Sequence, residues 1–152
     1  MITPRHGTCA VAFNHTIYVM GGINKSNLKS VECYNSITNC LTLHADMNET
    51  HYLASATVHN GKIFVLGGIF SATVESYDPD INKWTKISCL SKGKFLIVSI
   101  PVNNQLWAVG GSRSNSVAVY DEQNGIWIAK REIPQILLFY CCYGQGRKFL
   151  NV

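Results

Sequence analysis

The chain has 152 residues, of which 47% are hydrophobic and 14% are charged, and its formal net charge is +4 at pH 7 with the histidines neutral. This composition supports a packed core, and the absence of a Lys/Arg run gives no reason to expect nucleic acid as a partner. No stretch is apolar enough to span a membrane and the first residues lack the pattern of a secretory signal, so we expect a cytoplasmic protein without a membrane partner.

The first predicted unit covers residues 3–46 and contains four short runs that alternate apolar with polar residues, as half-buried β-strands do. Its second run ends in the glycine pair Gly21-Gly22, and its third run, SVECYN, contains Tyr34. Turn-forming residues separate the runs, so consecutive strands are expected to pair as hairpins. The predicted strands are 8–13, 17–21, 30–35 and 40–43.

The second and third predicted units, at 49–90 and 92–131, repeat this plan. Asn60-Gly61 is the strongest turn signal in the chain, because both residues tolerate the positive φ of a type I′ hairpin. No segment has a convincing helical period. The predicted strands are 54–58, 63–67, 73–77 and 84–87 in the second unit, and 96–100, 106–110, 116–120 and 126–129 in the third.

A glycine pair and a downstream Tyr recur in all three units, and a Trp follows the Tyr by seven positions in the second and third. The first glycines stand at 21, 67 and 110, so the spacings are 46 and 43 residues, a period that favours four-stranded propeller blades. Leu41 takes the place of the Trp in the first unit. The recurring residues are Gly21, Gly22, Tyr34, Gly67, Gly68, Tyr77, Trp84, Gly110, Gly111, Tyr120 and Trp127.

These motifs together resemble the kelch repeat, and the resemblance covers nearly the whole chain. The opening PRHG at 4–7 supports it, and THYLAS at 50–55 echoes that opening weakly. The resemblance implies an all-β fold of kelch-type β-propeller blades, each a four-stranded antiparallel sheet. Residues 134–152 align with the start of the second unit. We therefore predict that 1–152 is a partial propeller of three blades and part of a fourth. Kelch propellers generally close with about five to seven blades, so the ring would be incomplete.

The recurring residues are structural in this interpretation. The glycines are expected to end the second strand near the crowded central channel, where a side chain would obstruct the close approach of another backbone. The recurring Tyr and Trp are expected to fill the wedge between neighbouring blades, since they bury a large apolar area while keeping a polar tip for a hydrogen bond.

Two explanations of an incomplete ring stay open, because unclosed blades leave unpaired strand edges. We expect the chain to be a fragment or truncated form of a longer kelch protein, since MITPRHG looks like the usual link into a blade. The alternative is a genuine short protein that associates with itself through its open edges, as identical half-rings could.

We expect a non-enzymatic protein that needs no metal or cofactor. None of the histidines has a spacing that makes a metal site or pairs it with a nucleophile. The cysteines are predicted to be reduced and buried, and the adjacent Cys141-Cys142 has neither metal nor redox spacing. The histidines are His6, His15, His44, His51 and His59, and the remaining cysteines are Cys9, Cys33, Cys40 and Cys89.

The loops on one face of a propeller are where binding is expected, because they can vary without disturbing the core. The loops that follow the glycine pairs are 23–30, 69–72 and 112–116. The segments that open each blade lie on the same face. By resemblance to kelch-like substrate receptors, residues from both sets contact a protein or peptide partner.

The predicted partner is acidic, because several lysines accompany these loops and an Arg fork binds a carboxylate through two hydrogen bonds. Arg113 is the strongest single candidate, since arginine is enriched among binding hot spots. The predicted contact residues are Arg5, Asn24, Lys25, Ser26, His51, Tyr52, Phe70, Ser71, Lys94, Arg113, Ser114 and Asn115.

The resemblance also implies a cellular setting. Many kelch propellers stand C-terminal to BTB and BACK domains and bring substrates to a Cullin-3 ubiquitin ligase, and pox viruses carry similar proteins. These residues include neither domain, so the chain would supply substrate recognition and reach Cullin-3 only through such domains. Other kelch proteins bind actin, which is the alternative, and a truncated product without independent function is the third interpretation.

Overall fold

The chain is described by a computed structural model over residues 1–69, 71–91, 96–112 and 114–134. Within these ranges the regular structure is entirely β, and no helix there is long and apolar enough to cross a membrane. The strands are β1 Cys9–Phe13, β2 Thr16–Met20, β3 Ile23–Asn24, β4 Ser26–Asn27, β5 Val31–Asn35, β6 Cys40–His44, β7 Ser55–His59, β8 Lys62–Leu66, β9 Val74–Asp78, β10 Lys83–Ile87, β11 Ile97–Val102, β12 Gln105–Gly110, β13 Val117–Asp121 and β14 Ile126–Lys130.

Twelve of the strands form three four-stranded antiparallel sheets. Blade 1 has the order β1-β2-β5-β6, blade 2 the order β7-β8-β9-β10, and blade 3 the order β11-β12-β13-β14. The first strands are neighbours, β1 beside β7 and β7 beside β11, so they line the inner side of the array. The predicted all-β fold of propeller blades is confirmed, and the described blades do not close a ring. The partial fourth blade predicted at 134–152 falls, apart from Pro134, outside the described residues.

Tight turns between the first and second strands follow from residues that accept positive φ. Asn60 and Gly61 have φ of 47° and 71°, as the hairpin signal predicted, and Asn103 and Asn104 have 49° and 57° in blade 3. The turns between the third and fourth strands are closed by side chains instead. In blade 1, Asn35 Oδ1 accepts hydrogen bonds from the backbone N–H groups of residues 37 and 38.

The main core lies between blades 1 and 2, where Tyr77 and Trp84 of blade 2 are buried against blade 1. The two rings lie 4.9 Å apart between centroids with an interplanar angle of 35°, and Trp84 Nε1–H donates to Ala45 O at 2.9 Å. Tyr120 and Trp127 make the equivalent wedge between blades 2 and 3, with Trp127 Nε1–H donating to Ser88 O at 3.1 Å. Each indole therefore packs against the neighbouring blade and hydrogen-bonds the segment that leaves it.

The segment 23–30, predicted to be a loop, contains the short hairpin β3-β4. Lys25 stands at its tip with φ of 61°, which allows the chain to reverse over three residues. Ile23 also pairs with His6 in an isolated bridge. The alternation that marks a strand needs more residues than this hairpin has, so the sequence pattern could not indicate it.

The glycine pairs do allow a close backbone approach, but the neighbour is different from the one predicted. Gly21 has φ of 61°, and a Cβ there would lie 2.3 Å from His51 O in the segment leading into blade 2. Gly22 N–H donates to the same carbonyl at 2.8 Å. The pair therefore contacts the segment between blades rather than the inner channel, because strand β2 ends beside that segment.

Cysteine burial agrees with the prediction at two positions and contradicts it at two. Cys9 and Cys33 are buried between blades 1 and 2, and burial raises the pKa of each thiol to about 12. The predictions for Cys40 and Cys89 were wrong, since both are exposed. Cys40 begins the outermost strand of blade 1, which has no further strand beside it among the described residues. The pair Cys141-Cys142 lies outside the described residues.

Replacing Trp84 should test the wedge between blades 1 and 2. We expect Trp84→Ala to lower the free energy of unfolding by about 3–5 kcal/mol, because it opens a cavity between the two sheets. Trp84→Phe, the control, keeps most of the ring and loses the bond to Ala45 O, so its loss should be smaller, about 0.5–1.5 kcal/mol from the bond itself. Urea unfolding followed by far-UV circular dichroism measures the free energy of unfolding of both variants, because that signal does not require the fluorescence of Trp84. Equal stability of Trp84→Ala and wild type would contradict the role of Trp84 between the blades.

Candidate functional site

One face of the array is formed by the loops between second and third strands together with the linkers, the segments that open each blade. We call it the loop face. The same backbone hydrogen bond joins a linker to a loop three times, at 2.9–3.0 Å. The bonds run from Met47 N to Lys29 O, from Leu90 N to Ala72 O, and from Ile133 N to Asn115 O. The loops and linkers predicted to bind a partner therefore lie together.

The hairpin β3-β4 is the most exposed part of the loop face. Lys25 and Ser26 are exposed at its tip, whereas Asn24 is half-buried. Lys29 is also exposed and donates from Nζ to Asn48 O. Two exposed lysines thus lie on the blade 1 part of this face.

The other predicted loop residues are less accessible. Ser71 is half-buried, and its hydroxyl lies 2.7 Å from that of Thr73. Asn115 donates from Nδ2 to Ile133 O at 3.1 Å, so its amide already supports the loop. Ser114, also half-buried, donates from its hydroxyl to Ser116 Oγ at 3.0 Å.

The structure corrects the expected position of Arg5, whose side chain is fully buried. Its guanidinium donates to Gly21 O at 3.1 Å, to Ser30 O at 2.9 Å and to Glu32 Oε1 at 2.7 Å. A cation whose donors are used internally is not available to a partner. Arg5 instead fixes the linker that opens blade 1 to the end of strand β2.

His51 occupies the same place in blade 2 and is buried as well, which corrects its predicted place on the surface. Its Nδ1 lies 2.7 Å from Gly67 O and its Nε2 lies 3.2 Å from Glu75 Oε1. Each ring nitrogen therefore lies against a hydrogen-bond acceptor, and the ring joins the linker to the ends of strands β8 and β9. Tyr52 beside it is half-buried, with its ring edge-on to His6 at 6.0 Å between centroids.

The residues that organise these linkers, Glu32 and Glu75, were missed by the sequence analysis. Both are fully buried on the third strands of blades 1 and 2. Glu32 accepts backbone hydrogen bonds from Ile2 and Thr3 at 2.6 and 2.9 Å. Glu75 accepts them from Asn48 and Glu49 at 2.8 Å each. Each carboxylate therefore accepts hydrogen bonds from backbone N–H groups of the linker that opens its own blade.

A signal for these carboxylates was present in the sequence. SVECYN and TVESYD each place a Glu inside an otherwise buried strand, and a buried carboxylate requires partners. The third unit reads SVAVYD, with Ala118 at the equivalent position. Blade 3 therefore has no carboxylate of this kind on β13.

Burial and hydrogen bonding shift the pKa of these carboxyl groups in opposite directions. Burial raises the pKa of Glu75, but hydrogen bonds from His51, Asn48 and the backbone of Glu49 outweigh it, so the pKa lies below the ordinary range. Glu32 has the same balance, with donors from Thr3, Ile2 and Arg5. Both groups are therefore carboxylates at neutral pH.

The left-handed backbone recurs in the three linkers. Gly7, Leu53 and Leu96 occupy equivalent positions with φ of 63°, 56° and 55°. Leu53 N donates to Gly7 O at 2.9 Å, and Leu96 N donates to Leu53 O at 3.1 Å. Successive linkers are thus hydrogen-bonded to one another.

The inner side of the array has a groove of about 660 Å³, lined by residues from strands β1, β7 and β11 and their flanks. Its lining is mainly apolar, and Ser55 Oγ and Ser99 Oγ lie 2.7 Å apart within it. No group of three or more potential metal ligands occurs in the described part of the chain. The predicted contact residues Phe70, Lys94 and Arg113 lie outside that part.

Rigid antiparallel blades that hold a set of polar loops on one face define a propeller-type binding scaffold. The Kelch motif family model matches residues 4–40 and 51–91, which is half of the chain. The chain therefore belongs to the kelch-repeat family, whose repeats build protein-interaction modules.

Known proteins support this assignment. The chain is 31% identical to Kelch-like protein 40 of Xenopus laevis over 132 residues, which covers 80% of this chain and 22% of the relative. It is 30% identical to Kelch-like protein 23 of Homo sapiens over 145 residues, covering 90% and 25%. The chain thus spans about a quarter of the length of these curated relatives. The solved structure of YjhT shares the fold, with a TM-score of 0.72 and 15% identity over 87% of this chain and 53% of that one.

Acidification should remove the stabilisation that Glu75 provides. Its folded pKa is lowered, so its contribution is complete above the unfolded pKa, about 4.3, and is lost as the pH falls through the folded pKa. We expect Glu75→Gln to cost about 1–3 kcal/mol at pH 7, because the amide accepts fewer hydrogen bonds than the carboxylate and leaves N–H donors of the linker unsatisfied. The variant should also flatten the decline of stability on acidification.

Urea unfolding between about pH 3 and pH 7 measures this dependence. The control is Glu132→Gln, because Glu132 is exposed. Wild type and Glu75→Gln losing stability in parallel on acidification would contradict the assigned role of Glu75.

Proposed function

We propose that the loop face binds an acidic segment of a protein partner. The observation that carries this proposal is the exposed, positively charged hairpin β3-β4 on a rigid sheet scaffold. Lys25 stands at its tip, and Lys29 follows on the same loop. Arg5 is taken up by internal contacts, so the exposed cations of blade 1 are Lys25 and Lys29, and Lys29 uses one of its three N–H groups to bond Asn48 O.

The remaining loop residues add shape and hydrogen bonding to this surface. Asn24, Ser26 and Tyr52 flank the hairpin and the second linker, and Ser71, Ser114 and Asn115 continue along blades 2 and 3. Apart from the exposed Ser26, these residues are partly buried, which restricts their side-chain motion and lowers the entropy that a bound partner would cost. Arg113, with Phe70 and Lys94, stays part of the proposal on the strength of the sequence.

We further propose that this recognition serves a Cullin-3 ubiquitin ligase, with the chain as the substrate-binding part of a kelch-like adaptor. The similarity to kelch-like proteins over 80–90% of the chain supports this role. Contact with Cullin-3 would require the BTB and BACK regions of such an adaptor. Binding to actin filaments is the competing function, since a basic loop surface suits the acidic surface of a filament as well as an acidic peptide.

Charge reversal at the hairpin tip tests the binding face. We expect Lys25→Glu to reduce capture of protein partners at least about tenfold, because it places a carboxylate opposite an acidic segment. Lys83→Glu is the matched control, since Lys83 is also exposed but begins β10 at the opposite end of the sheet. The measurement is quantitative mass spectrometry of proteins retained by the tagged chain and by each variant.

Three outcomes are informative. Equal loss with both variants would show a non-specific charge effect and contradict the loop face as the site. Co-sedimentation of the chain with filamentous actin, sensitive to Lys25→Glu, would favour the cytoskeletal function over the adaptor. Retention of ubiquitin-ligase substrates that is sensitive to Lys25→Glu and unaffected by Lys83→Glu would support the adaptor.

A further inference from the structure

The turn Asn60-Gly61, which follows strand β7, is open to solvent. Both residues are exposed, and a Cβ added at Gly61 would meet no atom within 4 Å beyond its chain neighbours. The Gly61 N–H makes no hydrogen bond to the described residues. In an Asn-Gly pair the backbone nitrogen of the glycine can attack the side-chain carbonyl carbon of the asparagine, because glycine has no side chain to obstruct ring closure. The turn therefore has an accessible nucleophile next to an amide.

The second Asn-Gly pair of the chain, Asn124-Gly125, provides a contrast within the same structure. Gly125 N donates to Asp121 O at 2.8 Å, so its proton is held in a hydrogen bond. The Asn124 amide donates from Nδ2 to Asp121 Oδ2 at 2.7 Å. An attacking nitrogen has to lose its proton, and the bond to Asp121 O opposes that loss. Asn60-Gly61 is thus the pair whose backbone nitrogen is available.

The Asn60 side chain also joins two blades. Its Nδ2 donates to Glu122 Oε1 at 3.0 Å and to Oε2 at 3.3 Å, and Glu122 begins the turn that follows β13 in blade 3. His59 Nε2 lies 2.7 Å from the same Oε1. Blade 2 therefore holds this turn of blade 3 through one carboxylate, and position 60 supplies two of its hydrogen bonds.

The equivalent contact between blades 1 and 2 lacks this carboxylate. The strand registers place Asn14 at the position of Asn60, and both residues have φ of 47°. Pro79 stands at the position of Glu122, and proline has no side-chain acceptor. A new negative charge in the turn after the first strand should therefore affect blade 2 and not blade 1.

We propose that Asn60 is a site of spontaneous deamidation and that its products weaken the contact between blades 2 and 3. The Gly61 nitrogen forms a bond to Asn60 Cγ while the bond from Cγ to Nδ2 breaks, and the proton of the Gly61 nitrogen leaves with the amine as ammonia. Water then opens the resulting succinimide at one of its two carbonyl carbons. The products are aspartate and isoaspartate, each with a new carboxyl group, and water is the co-reactant.

Either product reverses the contact with Glu122. A carboxylate at position 60 donates no hydrogen bond and faces a second carboxylate on blade 3, so repulsion replaces attraction. The nearby cation of Lys62 is 3.4 Å from Asp78 Oδ2 and already has a partner. Isoaspartate also lengthens the backbone of a two-residue turn, which the type I′ geometry does not accommodate. The turn lies at the end of the sheet opposite to the loop face, so this inference does not rest on partner recognition there.

Peptide mapping by mass spectrometry after incubation at neutral pH is the first test. We expect aspartate and isoaspartate to accumulate at position 60 of the folded chain over days, while Asn124 stays intact. The reference is a synthetic peptide of residues 56–64, which has the same local sequence without the fold. An unchanged Asn60 under conditions that convert the peptide would overturn the site. Equal conversion of Asn124 would contradict the role assigned to the free N–H of Gly61.

Direct substitution tests the consequence for the blades. We expect Asn60→Asp to lower the ratio of folded to unfolded chain about fivefold in urea unfolding at neutral pH, because it places the charge of one product beside Glu122. Asn14→Asp is the matched control, since it puts the same charge at the equivalent turn opposite Pro79. The control should leave the ratio almost unchanged.

A double variant locates the effect on blade 3. Adding Glu122→Gln removes the second charge, so Asn60→Asp should cost less in that background than in the wild-type chain. Equal losses from Asn60→Asp and Asn14→Asp would contradict a specific contact in blade 2. An equal loss from Asn60→Asp with and without Glu122→Gln would show that the new carboxylate does not act on blade 3.

Discussion

The buried carboxylate on the third strand is the constraint on which the loop face depends. Glu32 and Glu75 each accept two backbone hydrogen bonds from the linker of their own blade and also contact a buried side chain of that linker, Arg5 or His51. Backbone N–H groups in these linkers would otherwise be desolvated without acceptors. The carboxylate therefore determines where each linker runs, and the linker in turn holds the loop to which it is hydrogen-bonded. The loops of blades 1 and 2 are therefore positioned by a carboxylate that is itself fully buried.

The blades differ in how they meet this requirement. Blade 1 uses the guanidinium of Arg5 beside the carboxylate, and blade 2 uses the imidazole of His51. Blade 3 has Ala118 where the carboxylate would be. The Trp wedge varies as well, with Leu41 in blade 1. Comparison of equivalent positions within one chain thus distinguishes the residues that all three blades share from those that differ in one blade.

The sequence was sufficient for the fold because local signals agree with it. Period-two alternation, the Asn60-Gly61 turn and the spacing of the glycine pairs each reflect a short-range rule, and the twelve strands of the three blades lie within a residue or two of their predicted bounds. The site was harder to predict. Arg5 and His51 have the residue types of a binding surface, and only their pairing with Glu32 and Glu75, 27 and 24 residues away, shows that they are internal. No local sequence pattern indicates such a pairing. The burial of Arg5 and His51 therefore could not be predicted from the linker sequences alone.

The hydrogen bonds between successive linkers couple the conformation of one linker to that of the next. The chain from Gly7 through Leu53 to Leu96 holds two leucines in a left-handed conformation that costs about 1–2 kcal/mol each in an isolated segment. Such a conformation persists only while both neighbours keep it in place. Loss of one linker would release strain in the next, so the repeats are energetically coupled along the array rather than stacked as independent units. Opening of the array is then a collective transition, in which no single blade frays alone.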